Sequence, residues 1–122
     1  MKNNKNHRLS AHKSGRRAET LAVWYLRLKG YRILARNFRH ARGEIDIIAQ
    51  QGQVLVWVEV KQRQKGRASL ADVSPQQWAR IAAAASAFVG RHQALQTLAW
   101  RFDFIGLGGG VWPRHLKGVW RF

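Results

Sequence analysis

The sequence predicts a single α/β domain with elements in the order α-β-β-β-α-β-β and a mixed sheet flanked by helices. Three observations predict it. Residues 14–30 and 74–90 repeat apolar side chains at helical spacing. Gly43 to Arg63 (GEIDIIAQQGQVLVWVEVKQR) holds two apolar, β-branched runs about a Gln51-Gly52 break, the mark of an antiparallel hairpin. Leu98 to Ile105 (LAWRFDFI) alternates as a strand does, with Trp100, Phe102 and Phe104 on one face and Arg101 and Asp103 on the other.

In order along the chain, Met1 to Lys13 is polar and basic, with little to bury, and reads as a disordered arm. Ser14 is placed to cap the first helix and Gly30 to stop it. Ala18, Leu21, Ala22, Tyr25 and Leu26 are its expected buried stripe, with Glu19 on the margin, free to pair with Arg16 or Arg17 or to reach a neighbouring site. Tyr31 to Phe38 (YRILARNF) follows as a strand, and His40 to Gly43 turns into the hairpin. Beyond Lys61 the polar stretch QRQKGRASL reads as a flexible loop carrying Arg63, Lys65 and Arg67, suited to a phosphate backbone. Ser74-Pro75 opens the second helix, whose apolar face is Trp78, Ile81, Ala82, Ala85 and Phe88. Arg101 and Asp103 read as a structural pair on a wet face, with service to the site as the alternative, Gly106 to Gly110 (GLGGG) as a flexible loop, and Leu116 to Phe122 as a last edge strand.

The hairpin carries the chemistry. Leu55, Trp57, Glu59 and Lys61 share one face of the second strand, and Val54, Val56, Val58 and Val60 the other. With Gln51 and Gly52 as the central turn residues, Asp46 falls opposite Trp57 and roughly 7–8 Å from Glu59 on the same face. Two carboxylates on neighbouring strands suit Mg²⁺ or Mn²⁺, which bind through one or two carboxylates plus water and substrate phosphate. The peptide carbonyl of Val60 is a candidate third oxygen. Lys61 beside them can position or deprotonate a water, or stabilise charge on a phosphate. The alternative is that these residues form a solvated strand face, and a one-residue change in the turn would separate Asp46 from Glu59.

With 22 Lys and Arg against 6 Asp and Glu, the 122-residue chain carries a formal charge of +16 and calls for a polyanionic partner, nucleic acid first. The absence of cysteine excludes disulfides, thiolate nucleophiles and cysteine-ligated metals. No apolar run is long enough to span a bilayer, and the basic N-terminus lacks the apolar stretch of a signal peptide, so a soluble, cytoplasmic protein without a membrane partner is expected. Six tryptophans serve the core first, with base stacking the alternative for some.

GEIDIIA at Gly43 to Ala49 and VWVEVKQR at Val56 to Arg63 resemble the YraN family of small bacterial proteins. The likeness extends to Gly15, Ala18 and Glu19, to GYRILARNFR at Gly30 to Arg39, and to RFDFI at Arg101 to Ile105. That family is similar to the restriction-endonuclease-like, or PD-(D/E)xK, superfamily. The resemblance implies Asp46 as the motif aspartate, Glu59 and Lys61 as the (D/E)xK pair, and Glu19 as a helix carboxylate assisting the metal. Ile45 stands where the motif's name has proline, and Gln77 where a lysine is expected. The implied activity is metal-dependent hydrolysis of DNA, of branched or repair and recombination forms, with Arg16, Arg17, Arg63, Lys65 and Arg67 holding the backbone. A homodimer is left open. The alternatives are a non-catalytic nucleic-acid-binding protein on the same fold, and a ribosome- or RNA-associated basic protein.

Overall fold

Helix α1 (residues 16–28) precedes strands β1 (Arg32–His40), β2 (Gly43–Gln51) and β3 (Val54–Arg63) in the computed structural model, which describes residues 16–109 and 112–121. Helix α2 (Pro75–Gly90) and strands β4 (Ala99–Gly108) and β5 (Arg114–Trp120) follow, with short 3₁₀ turns at Leu70–Asp72 and Gln93–Leu95. The basic arm expected over residues 1–13, with Ser14 and Gly15, lies outside the described residues. The five strands stand in the order β1-β2-β3-β4-β5. Only β3 and β4 are parallel; the other neighbours are antiparallel. A parallel pair needs a crossover, and α2 supplies it.

The alternation on β3 divides the core. Leu55 and Trp57 pack toward α2 with Trp78, Ile81, Ala85, Phe88, Phe102 and Phe104. Val56 and Val58 pack toward α1 with Ala18, Ala22, Val23, Tyr25 and Leu26. Each such large apolar side chain taken fully from water contributes about 1.5–3 kcal/mol, before the entropy of ordering it. Helix α2 starts where its sequence says it should. Ser74 Oγ accepts from Gln77 N–H at 3.1 Å, Gln77 Oε1 accepts from Ser74 N–H at 3.4 Å, and Pro75 occupies the first turn.

Several expectations need correction. Leu21 is not in the buried stripe; it is 55% exposed and, with Trp24 and Leu28, forms an outer stripe of α1. The stripe facing the sheet is instead completed by Val23. Gln51 belongs to β2, so the turn is centred on Gly52 and Gln53, one residue later than expected. Gly52 has φ +58° and Gln53 a negative φ, the sign pattern of a type II′ turn, which favours glycine first. Gly106 to Gly108 are strand, not loop. Positions 106 and 108 are glycines because the segment after β3 folds onto them: a Cβ on Gly106 would lie 2.4 Å from the Ala68 carbonyl oxygen, and one on Gly108 2.4 Å from that of Gly66. That segment is correspondingly tethered rather than flexible, since Ala68 N–H donates to the Leu107 carbonyl at 3.1 Å and Ala68 is buried.

Asp103 pairs with Arg101 as expected, but on no wet face: it is fully buried. Arg101 donates twice to its carboxylate at 2.8 Å, His115 Nε2 lies 2.7 Å away and Gly118 N–H donates at 3.1 Å. Burial opposes the charge on Asp103, yet the contacts from His115, Arg101 and Gly118 outweigh it and hold the carboxyl below its ordinary range. This cluster fastens β5 to β4.

Candidate active site

The β2–β3 ladder runs from the turn to Ile47↔Val58 and stops there, while β2 remains paired with β1 as far as His40↔Gly43. The two strands therefore part, and Asp46 sits at the parting. Its Oδ2 accepts the Val60 N–H at 2.8 Å, a side chain filling the place of a ladder carbonyl. With the turn one residue later than expected, Asp46 stands at the level of Glu59 rather than opposite Trp57. The charge of Asp46 is felt by Glu59 across the parting. Val60 meets Asp46 through its N–H; the expected role of its carbonyl is a separate matter.

Glu59 is 7% exposed and points to the α2 side. Lys61 Nζ lies 3.5 Å from Glu59 Oε1, with its own side chain about a third exposed. Burial, then the charge of Asp46, push Glu59 up to about 8, against a smaller opposing pull from Lys61. Asp46 is raised to about 6 by burial, opposed by the Val60 N–H and reinforced by the charge of Glu19. Both acids are held in conditions hostile to two negative charges. A cation between them would relieve that, and the donor set matches the one or two carboxylates that Mg²⁺ ordinarily takes from protein.

Glu19 stands near enough to Asp46 for its charge to raise that carboxyl. It is buried on the α1 side, where its Oε1 accepts from Arg36 Nε at 3.2 Å; Arg36 also donates to the Thr20 hydroxyl. Its partner is Arg36 rather than Arg16 or Arg17, which are exposed. Among the described residues no three His, Cys, Asp or Glu side chains are gathered in metal-binding fashion.

Beside Glu59 opens a cleft of about 30 Å³ lined by Glu44, Gln77, Arg80 and Ile81 as well. That is room on the order of two waters. Glu44, Gln77 and Arg80 were not among the expected site residues. The parity of Glu44 with Asp46 was the available signal; Arg80 comes from α2, and only the packing of β2 on that helix brings it near. That packing is close, since a Cβ on Gly43 would lie 2.0 Å from the Arg80 carbonyl oxygen.

Of the expected phosphate-binding residues, Arg63 is engaged by Asp72, whose carboxylate is held below its ordinary range by the Ser69 N–H and by Arg63. Lys65 is exposed, and Arg67 is half-buried with its Nε unpartnered. Among the described residues no helix is long and apolar enough to cross a membrane, which says nothing of crossing by strands.

A UPF0102 protein of Parvibaculum lavamentivorans is 44% identical over 113 residues, covering 93% of this chain and 85% of that protein. One of Maricaulis maris is 40% identical over 113 residues, with 93% and 89% covered. One of Caulobacter vibrioides is 43% identical over 111 residues, with 91% and 89% covered. The family model described as "Uncharacterised protein family UPF0102" matches residues 18–107, a span holding Glu19, Asp46, Glu59, Lys61 and the strands that position them. By that match and those relatives, the chain belongs to the UPF0102 family.

Proposed function

We propose that the protein is a metal-dependent nuclease that hydrolyses phosphodiester bonds of DNA, on a restriction-endonuclease-like fold. One observation carries the reading: Asp46 and Glu59, both disfavoured as anions by burial, stand with Lys61 where β2 leaves β3. In a chain of +16, carboxylates spent this way call for a cation. The order of motifs from Glu19 through Asp46 to Glu59 and Lys61 also resembles the PD-(D/E)xK pattern. Bound Mg²⁺ or Mn²⁺ would supply Lewis-acid polarisation of a phosphate oxygen. Asp46 and Glu59 would hold it. Lys61, kept near Glu59, offers its ammonium to the phosphate or orients the attacking water. Lys65 and Arg67, on the segment leaving β3, offer charge to the backbone of the substrate.

The non-catalytic reading, a nucleic-acid-binding protein on this fold, is favoured by the capture of Glu19 by Arg36. Cleavage of labelled duplex, single-stranded, flap and four-way DNA with Mg²⁺ or Mn²⁺ separates the two. We expect metal-dependent cutting that Asp46→Ala and Lys61→Ala abolish while binding persists. Binding without cutting across the panel, or equal cutting by the variants, gives the non-catalytic reading the lead.

A further inference from the structure

In a regular strand Arg36 and Phe38 would share a face. They do not. Arg36 reaches Glu19 of α1, whereas Phe38 packs edge-on against Phe88 of α2, ring centroids 5.2 Å apart. Strand β2 slips at the same level: Ile47 belongs to the core beneath α1 and Ile45 to the core beneath α2. Between the registered pairs Arg36↔Ile47 and Phe38↔Ile45 stand Asn37 and Asp46, facing each other. Asn37 has φ +51°, the one positive φ at a non-glycine residue among those described. Asparagine is one of the few side chains that accept this left-handed region, and β-branched residues do not.

We propose that Asn37 is a positioning residue for Asp46. Its left-handed backbone reverses the alternation of β1, and of the paired β2, so that the Asp46 carboxylate swings toward β3 instead of standing on a sheet face. Two further features follow from the same reversal. The β2–β3 ladder ends one residue before Asp46, and the Val60 N–H that a regular strand would leave to a carbonyl goes to Oδ2. Ile45, which regular alternation would send under α1, becomes a buried contact under α2. The functional weight of the inference rests on reading Asp46 and Glu59 as a metal site; the geometry of Asn37 does not.

The test uses the full chain and two readouts. The Val60 amide, followed by NMR shift and hydrogen exchange in metal-free protein, reports the bond from Asp46, with Asp46→Ala marking its loss. Mn²⁺ binding by calorimetry reports the site. Asn37→Gly accepts a positive φ, whereas Asn37→Val excludes it. The glycine variant is expected to keep the Val60 signature and an unchanged Mn²⁺ affinity, and the valine variant to lose the signature and bind Mn²⁺ about 10-fold more weakly or worse. If Asn37→Val does not fold, Asn37→Ala shifts both readouts in the same direction. The proposal is overturned if the substituted valine (or alanine) chain keeps the Val60 signature. It is equally overturned if Asn37→Gly loses it, because the backbone would then not be the cause. A wild-type protein that binds no Mn²⁺ sinks the metal site instead, while the Val60 amide still decides the role of Asn37.

Discussion

Glu59, almost out of contact with water and beside a second acid, keeps its proton until about pH 8. The folded chain therefore binds more protons than the unfolded one between about 4.5 and 8, where Glu59 titrates, and between 3.8 and about 6 for Asp46. For groups raised in this way the stabilisation is complete below the unfolded pKa and is lost as pH rises through the folded one. In metal-free protein the melting temperature should fall as pH rises from 5 to 8, by about 5–10 °C if the cost is on the order of 1–2 kcal/mol. Glu59→Gln should flatten that slope, and saturating Mg²⁺ should restore the wild type at pH 8. Thermal melts in chelator and in magnesium check both. A wild-type melting point unchanged between pH 5 and 8 in chelator would contradict the account of Glu59.

Strand β5 is an edge strand, and beside its ladder with β4 and the packing of Trp120 one buried carboxylate helps to hold it. Asp103→Ala removes the acceptor of Arg101, His115 and Gly118 together. Leaving a partly buried guanidinium unpaired costs about 3–5 kcal/mol. Urea denaturation should show that loss, and the β5 amides should exchange early while those of β2 and β3 keep their protection. The elements also show what was legible in the sequence and why the rest was not. Period-2 alternation correctly assigned the faces of Leu55, Trp57, Val56 and Val58, and of Trp100, Phe102 and Phe104, because those strands are regular. The same rule fails across Arg36 to Phe38, since a single residue in the left-handed region exchanges the faces and asparagine in a strand does not announce it. The turn was displaced because Gln51 and Gln53 are chemically alike and only the backbone sign at Gly52 fixes which side is central. Glu19 was found, but its partner Arg36 lies across the α1–β1 packing, a relation no local spacing encodes.

At the scale of the whole molecule, excess positive charge would bind any nucleic acid, so its distribution matters more than its sum. Lys65 and Arg67 sit on the segment that leaves β3 beyond Lys61 and folds back on β4. If each neutralises one duplex phosphate, Lys65→Ala combined with Arg67→Ala should make the slope of log affinity against log salt shallower by about 1.8. A binding titration across salt concentrations measures it, and an unchanged slope would place the DNA elsewhere on the surface.

The parallel join of β3 to β4 has a consequence for how the chain is made. Asp46, Glu59 and Lys61, the residues proposed for the metal and the chemistry, all lie on β2 and β3, whereas β4 begins at Ala99, after the whole of α2. On the ribosome, α1 and the β1-β2-β3 meander emerge first and can pair among themselves through local contacts. Until α2 and β4 follow, the central strand has a bare edge and Trp57 an uncovered face. A nascent chain released at that stage would own all of the proposed chemistry and none of its support. The translation product most to be avoided is one that stops late enough to hold the site and too early to bury it, a species fit for aggregation rather than for reaction.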